Sequence, residues 1–77
     1  MEELTYKTTD FSFACILYYL EKEILGLEGD IKKTFIFKDD GQTEDIYLKY
    51  IQGKLQVEPR KFWEAIRVIK SFLHKNI

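Results

Sequence analysis

The sequence predicts an α+β fold: a small antiparallel sheet of two to four short strands packed by three helices, in the order β-α-β-β-α-(β)-α. Three observations carry this expectation. The chain has 77 residues, enough for one hydrophobic core and too few for two, so residues 1–77 read as a single domain. Two short segments rich in aliphatic and aromatic residues flank a Gly-Asp pair, the pattern of a hairpin. Three further segments place apolar residues at helical spacing.

Each element follows in order. Tyr6-Lys7-Thr8 has strand propensity, and Thr9-Asp10 supplies good helix N-cap residues. A helix is then expected from about residue 11 to about 23. Phe13, Ile16, Leu17, Leu20 and Ile24 share one side of it, at 100° per residue, and form the expected core stripe. The other side is also apolar, with Phe11, Ala14, Cys15, Tyr18 and Tyr19. A helix apolar all round is either central to its domain or covered by a second subunit. In so short a chain the second choice is the expectation, so Phe11, Ala14 and Tyr18 are assigned to a dimer or higher oligomer interface.

Ile24-Leu25-Gly26-Leu27-Glu28 and Thr34-Phe35-Ile36-Phe37-Lys38 form the hairpin, turning near Gly29-Asp30. Residues 43–52 read as a short helix carrying Ile46, Tyr47, Tyr50 and Ile51, with Gly53 at its C′ position. Leu55-Gln56-Val57 is an extended link or an edge strand. Pro59 opens the last helix, where its missing N–H costs nothing. Phe62, Ile66, Ile69 and Leu73 follow at helical spacing.

Three stretches resemble a small family of bacterial and phage proteins known as a domain of unknown function. They are Tyr6-Lys7-Thr8-Thr9-Asp10, Phe35-Ile36-Phe37-Lys38-Asp39 and Val57-Glu58-Pro59-Arg60-Lys61-Phe62. The chain departs from that pattern at Glu58, where relatives carry Asp, and at Ala14-Cys15, where they carry two alanines. The resemblance implies a small cytoplasmic protein borne on a phage or mobile element, and it transfers no particular activity.

Charge is unevenly distributed. Up to Gly53 there are six lysines against eleven acids, a balance of −5, and from Lys54 onward six basic residues against two acids, a balance of +4. Such a layout suits an acidic or nucleic-acid partner for the C-terminal segment, and equally a solvated helix whose cations complement its dipole. On the last helix Trp63, Arg67, Lys70 and His74 follow one stripe, a candidate partner surface. The favoured reading has Trp63 edging the core while the cations extend into water.

Chemistry is less well represented. Cys15 and His74 are single in their type, and nothing in the sequence sets them together as nucleophile and base. The acids Asp39, Asp40, Glu44 and Asp45 lack the spacing of a calcium loop and suit a turn followed by a helix N-terminus. The four glycines lie too far apart to cradle phosphate. No enzyme activity, cofactor or metal is expected. Met1-Glu2-Glu3 lacks the basic start of a signal peptide and no apolar run reaches transmembrane length, so the expected location is cytoplasmic, with no membrane partner. The expected function is a binding or inhibitory module that acts as a homo-oligomer on a host protein or small signalling molecule. A nucleic-acid-binding accessory protein using the basic last helix is the alternative.

Overall fold

The computed structural model of the chain describes residues 4–75. They form β1 (Thr5–Thr8), α1 (Phe11–Tyr19), β2 (Ile24–Glu28), β3 (Thr34–Lys38), α2 (Thr43–Ile51) and α3 (Pro59–Lys75). The sheet order is β1-β3-β2, with both pairings antiparallel. This is the α+β arrangement that the sequence predicts, with three strands. Residues 55–57 form a link and not an edge strand; Leu55 and Val57 are half-buried and Gln56 is exposed.

The register places one face of the sheet against the helices. Tyr6 and Ile24 pair with Phe37, and Thr8 and Leu27 pair with Phe35. Ile24 and Leu27 are three residues apart, so a regular strand would point them to opposite faces. A bulge between Ile24 and Gly26 resets the phase and lets both face inward. The extra residue, Leu25, is left 39% exposed. The hairpin loop spans 29–33. Gly29 sits at φ +100, and a Cβ there would lie 2.3 Å from the Lys32 carbonyl oxygen, so only glycine fits.

α1 is the centre of the molecule. Asp10 caps it by accepting a hydrogen bond from the Phe13 N–H at 3.2 Å. Five consecutive residues, Phe13 to Leu17, are buried within this one chain. At 100° per residue they sweep the whole circumference, so the middle of α1 is covered in every direction. Phe35 and Phe37 of the sheet and Ile69 of α3 join those five in one core cluster. The residues that pack against it include Ile46 and Tyr50 of α2 and Phe62, Ile66, Phe72 and Leu73 of α3.

Two expectations are corrected here. Ala14 is fully buried inside the chain and offers nothing to a second subunit, while Phe11 and Tyr18 are half-buried and pack on the same core. The helix also ends at Tyr19 and not near residue 23. The Glu21 N–H bonds the Tyr18 carbonyl at 2.9 Å and the Lys22 N–H bonds the Leu17 carbonyl at 3.0 Å, which closes a Schellman motif. Glu21 holds its left-handed position at φ +66. The early stop leaves Leu20 36% exposed and places Ile24, counted in both the helix stripe and the hairpin, on β2 alone.

Candidate functional site

α3 begins with a built cap. Glu58 Oε2 accepts the Lys61 N–H at 2.8 Å and the Glu58 carbonyl accepts the Phe62 N–H at 2.9 Å. The Glu58 N–H donates to the Tyr19 hydroxyl at 2.9 Å, tying this end of α3 to the C-terminal end of α1. Phe62 adds an edge-on ring contact to Tyr19, with centroids 6.0 Å apart. Further along, Lys70 acts electrostatically on Cys15, earlier in α1, so the two helices run antiparallel.

With Ala65 and Ile69 buried and Phe62, Ile66, Val68, Phe72 and Leu73 half-buried, α3 turns its other side chains up to His74 to solvent. Trp63, Arg67, Lys70 and His74 are all exposed, within about 60° of arc and over roughly 17 Å of helix. Trp63 is 55% exposed and does not edge the core as the sequence reading favoured. Among the described residues no salt bridge engages Arg60, Arg67 or Lys70. The stripe is therefore an indole and three cationic or titratable groups presented together to solvent.

A shallow cleft of about 700 Å³ lies beside this helix, lined by Tyr18, Tyr19, Glu21, Lys22, Lys61, Glu64, Ala65 and Val68. Lys22 is already committed, at 2.7 Å from Asp40 Oδ2 and 2.8 Å from Gln42 Oε1. Glu21, Lys61 and Glu64 remain as a mixed-charge wall.

The acidic segment builds a turn. Asp39 Oδ1 accepts the Gly41 N–H at 2.9 Å and the buried Thr43 hydroxyl at 3.2 Å, while Asp40 Oδ1 accepts the Gln42 N–H at 3.1 Å. The Lys22 ammonium and then the Gln42 N–H hold the Asp40 carboxyl below the usual carboxylate range. Asp45 pairs with Lys49 one turn along α2 at 3.4 Å. Among the described residues no three His, Cys, Asp or Glu side chains come close enough to share a metal ion.

Cys15 is 1% exposed, and burial pushes its thiol up to about 11. His74 is exposed near the end of α3, and no hydrogen bond joins the two among the described residues.

A second surface has no counterpart in the sequence reading. Ile46 and Tyr50 turn α2 inward, but Tyr47, Leu48 and Ile51 stay 40%, 49% and 58% exposed. Tyr47 and Tyr50 both lean on Phe13, with ring centroids 5.0 and 5.3 Å away. Tyr6, Gly41, Glu44, Asp45, Tyr47 and Leu48 enclose an open hollow of about 660 Å³. Burial first, then the negative charge of Tyr47, Glu44, Asp39 and Asp10, raises the Tyr6 phenol above its ordinary value. The available signal was the count of apolar residues in α2: Ile46, Tyr47, Leu48, Tyr50 and Ile51 are too many for one stripe of a nine-residue helix.

No helix of the described residues is long and apolar enough to cross a membrane. Comparison with curated proteins and with solved structures finds no match to this chain. A family model does match it, over residues 3–75, a span that takes in every strand and helix described above. The chain belongs to the family described as Domain of unknown function (DUF5659).

Proposed function

We propose that the protein is a non-enzymatic binding module whose contact surface is the exposed face of α3 and whose partner is a protein bearing an acidic patch. One observation carries this reading: Trp63 stands 55% exposed in line with Arg67 and Lys70. Neither cation is engaged in a salt bridge among the described residues. Leaving an indole in water forgoes the burial that large aromatic side chains ordinarily gain. Trp and Arg are also the residues that most often dominate binding energy at protein interfaces. The phage or bacterial setting that the sequence resemblance implies would make the partner a host protein.

A photo-crosslinking residue at position 63, used in host lysate, tests the reading. The expected result is a discrete protein adduct that survives nuclease treatment and disappears when Arg67→Glu and Lys70→Glu are added. The same adduct from a control crosslinker at exposed Gln52 would overturn it.

Single-stranded nucleic acid is a second reading, favoured by the same exposed indole beside cations, which offers a stacking platform. On that reading the adduct is lost under nuclease. Affinity then falls steeply with salt, and Arg67 and Lys70 substitutions flatten the slope. The −5 balance of the body opposes it, and weak binding at most is expected near 150 mM salt, where the screening length is about 8 Å.

A further inference from the structure

The two exposed surfaces differ in the sign of the charge around them. The donor is the face of α3: an indole followed by Arg67 and Lys70, all exposed. The receptor is the hollow beside α2, lined by Tyr6, Tyr47 and Leu48 together with the acids Glu44 and Asp45. Among the described residues Glu44 forms no salt bridge, and the partner of Asp45 is Lys49, itself 54% exposed. Such a surface pair gains little, and Asp45 gives it up at small cost. The two surfaces do not fill each other within one chain, because Trp63 is exposed and does not line the hollow.

We propose that the chain self-associates head to tail, with Trp63 of one copy seated in the hollow beside α2 of a second copy and Arg67 and Lys70 set against Glu44 and Asp45. This rests on the reading of α3 as a contact face and names a second copy as one of its occupants. Charge complementarity selects that occupant. The segment holding the hollow carries −5 and the segment holding α3 carries +4, so two copies in this orientation attract, while copies meeting α3 to α3 repel. The donor and receptor residues are different sets, so the contact is heterologous, unlike a two-fold interface on α1. Self-association also covers Trp63, so an outside partner competes with a second copy for the same face.

The test is the mean mass of the full chain from micromolar to millimolar concentration, by sedimentation or light scattering, at low and high salt. The mass is expected to rise above the 9.2 kDa of one chain and to fall as salt is added. A donor variant, Trp63→Ala with Arg67→Glu, and a receptor variant, Leu48→Lys, are each expected to remain monomeric. Their equimolar mixture is expected to form a two-chain species, because each retains one working half. Glu44→Lys, an exposed substitution, replaces the receptor variant if Leu48→Lys loses the parent's circular dichroism. A parent that stays monomeric, single variants that still assemble, or a mixture that does not pair would each overturn the proposal. Failure here is separable from failure of the wider reading. A monomeric parent that still crosslinks a host protein through position 63 removes self-association alone. A parent with neither property removes both.

Discussion

Glu21 occupies a backbone position, φ +66, that disfavours any side chain, and it does so to end α1 through two capping hydrogen bonds. The left-handed conformation costs a non-glycine residue roughly 1–2 kcal/mol, while glycine adds unfolded-state entropy that offsets part of the gain. Glu21→Gly is therefore expected to raise stability by about 0.5–1 kcal/mol in urea denaturation. Gly53 stands at the equivalent position of α2, at φ +70, so Gly53→Val is expected to cost about 1 kcal/mol or more. Pro59→Ala, at the first residue of α3, should cost less than about 1 kcal/mol. Glycine at that C′ position was legible in the sequence because glycine marks it. The matching end of α1 was not, because glutamate gives no such mark.

Cys15 adds a pH dependence. Folding favours its neutral thiol, with the folded value raised from the ordinary 9.0 to about 11. Below about pH 9 both states are protonated and the group contributes no slope. Between about pH 9 and 11 the unfolded chain ionises first, so stability declines as pH rises. Urea midpoints across that range should fall, and Cys15→Ala should remove part of the decline. The Tyr6 phenol, raised in the same direction, supplies another part. At neutral pH a thiol reagent should label the native protein only as fast as it opens.

At the scale of elements, the sequence carried every helix and strand of the described chain but gave two side chains, Ala14 of α1 and Trp63 of α3, the wrong surroundings. An apolar circumference marks a helix as covered without saying by what. For α1 the cover is the sheet, α2 and α3 of its own chain, possible because the early Schellman stop shortens the helix and returns the chain as β2. The bare face belongs to α2, and a nine-residue helix with five apolar positions was the legible sign. Trp63 was misplaced for a related reason. Its position sits at the border of the apolar stripe, and only packing decides which way a border residue turns. That contrast is measurable on α3. Ile69 is fully buried, so Ile69→Ala is expected to cost about 2–5 kcal/mol. Trp63→Ala should cost less than Ile69→Ala, because more than half of Trp63 is already in water. Equal losses at the two positions would show that Trp63 is structural.

Across the whole molecule, α1 is the element from which stability should radiate. Its amides at Phe13 to Leu17 lie in the enclosed core and are expected to exchange with solvent only through global unfolding. The amides of α2, which keeps one open face, should exchange through smaller openings and faster. Native-state hydrogen exchange separates the two, and slower exchange in α2 than in α1 would contradict the central position of α1.

The strand order β1-β3-β2 has a consequence for the chain as it is synthesised. β2 and β3 are joined by the 29–33 loop and can pair as soon as both have emerged. β1 must wait, since its neighbour β3 appears only after α1 and β2 have been made, and long-range pairing of this kind forms late. α1 waits longer still, because the helix that covers its remaining side, α3, is the last element in the described chain. A nascent chain ending at Gly53 would thus carry a helix that is apolar all round with part of its surface bare, an invitation to chaperones or to aggregation. Such a truncated chain is expected to bind a hydrophobic dye and to precipitate, and adding residues 54–77 in trans should restore solubility if covering α1 is what α3 supplies. The helix proposed as a contact face is then also the one that completes the cover of α1.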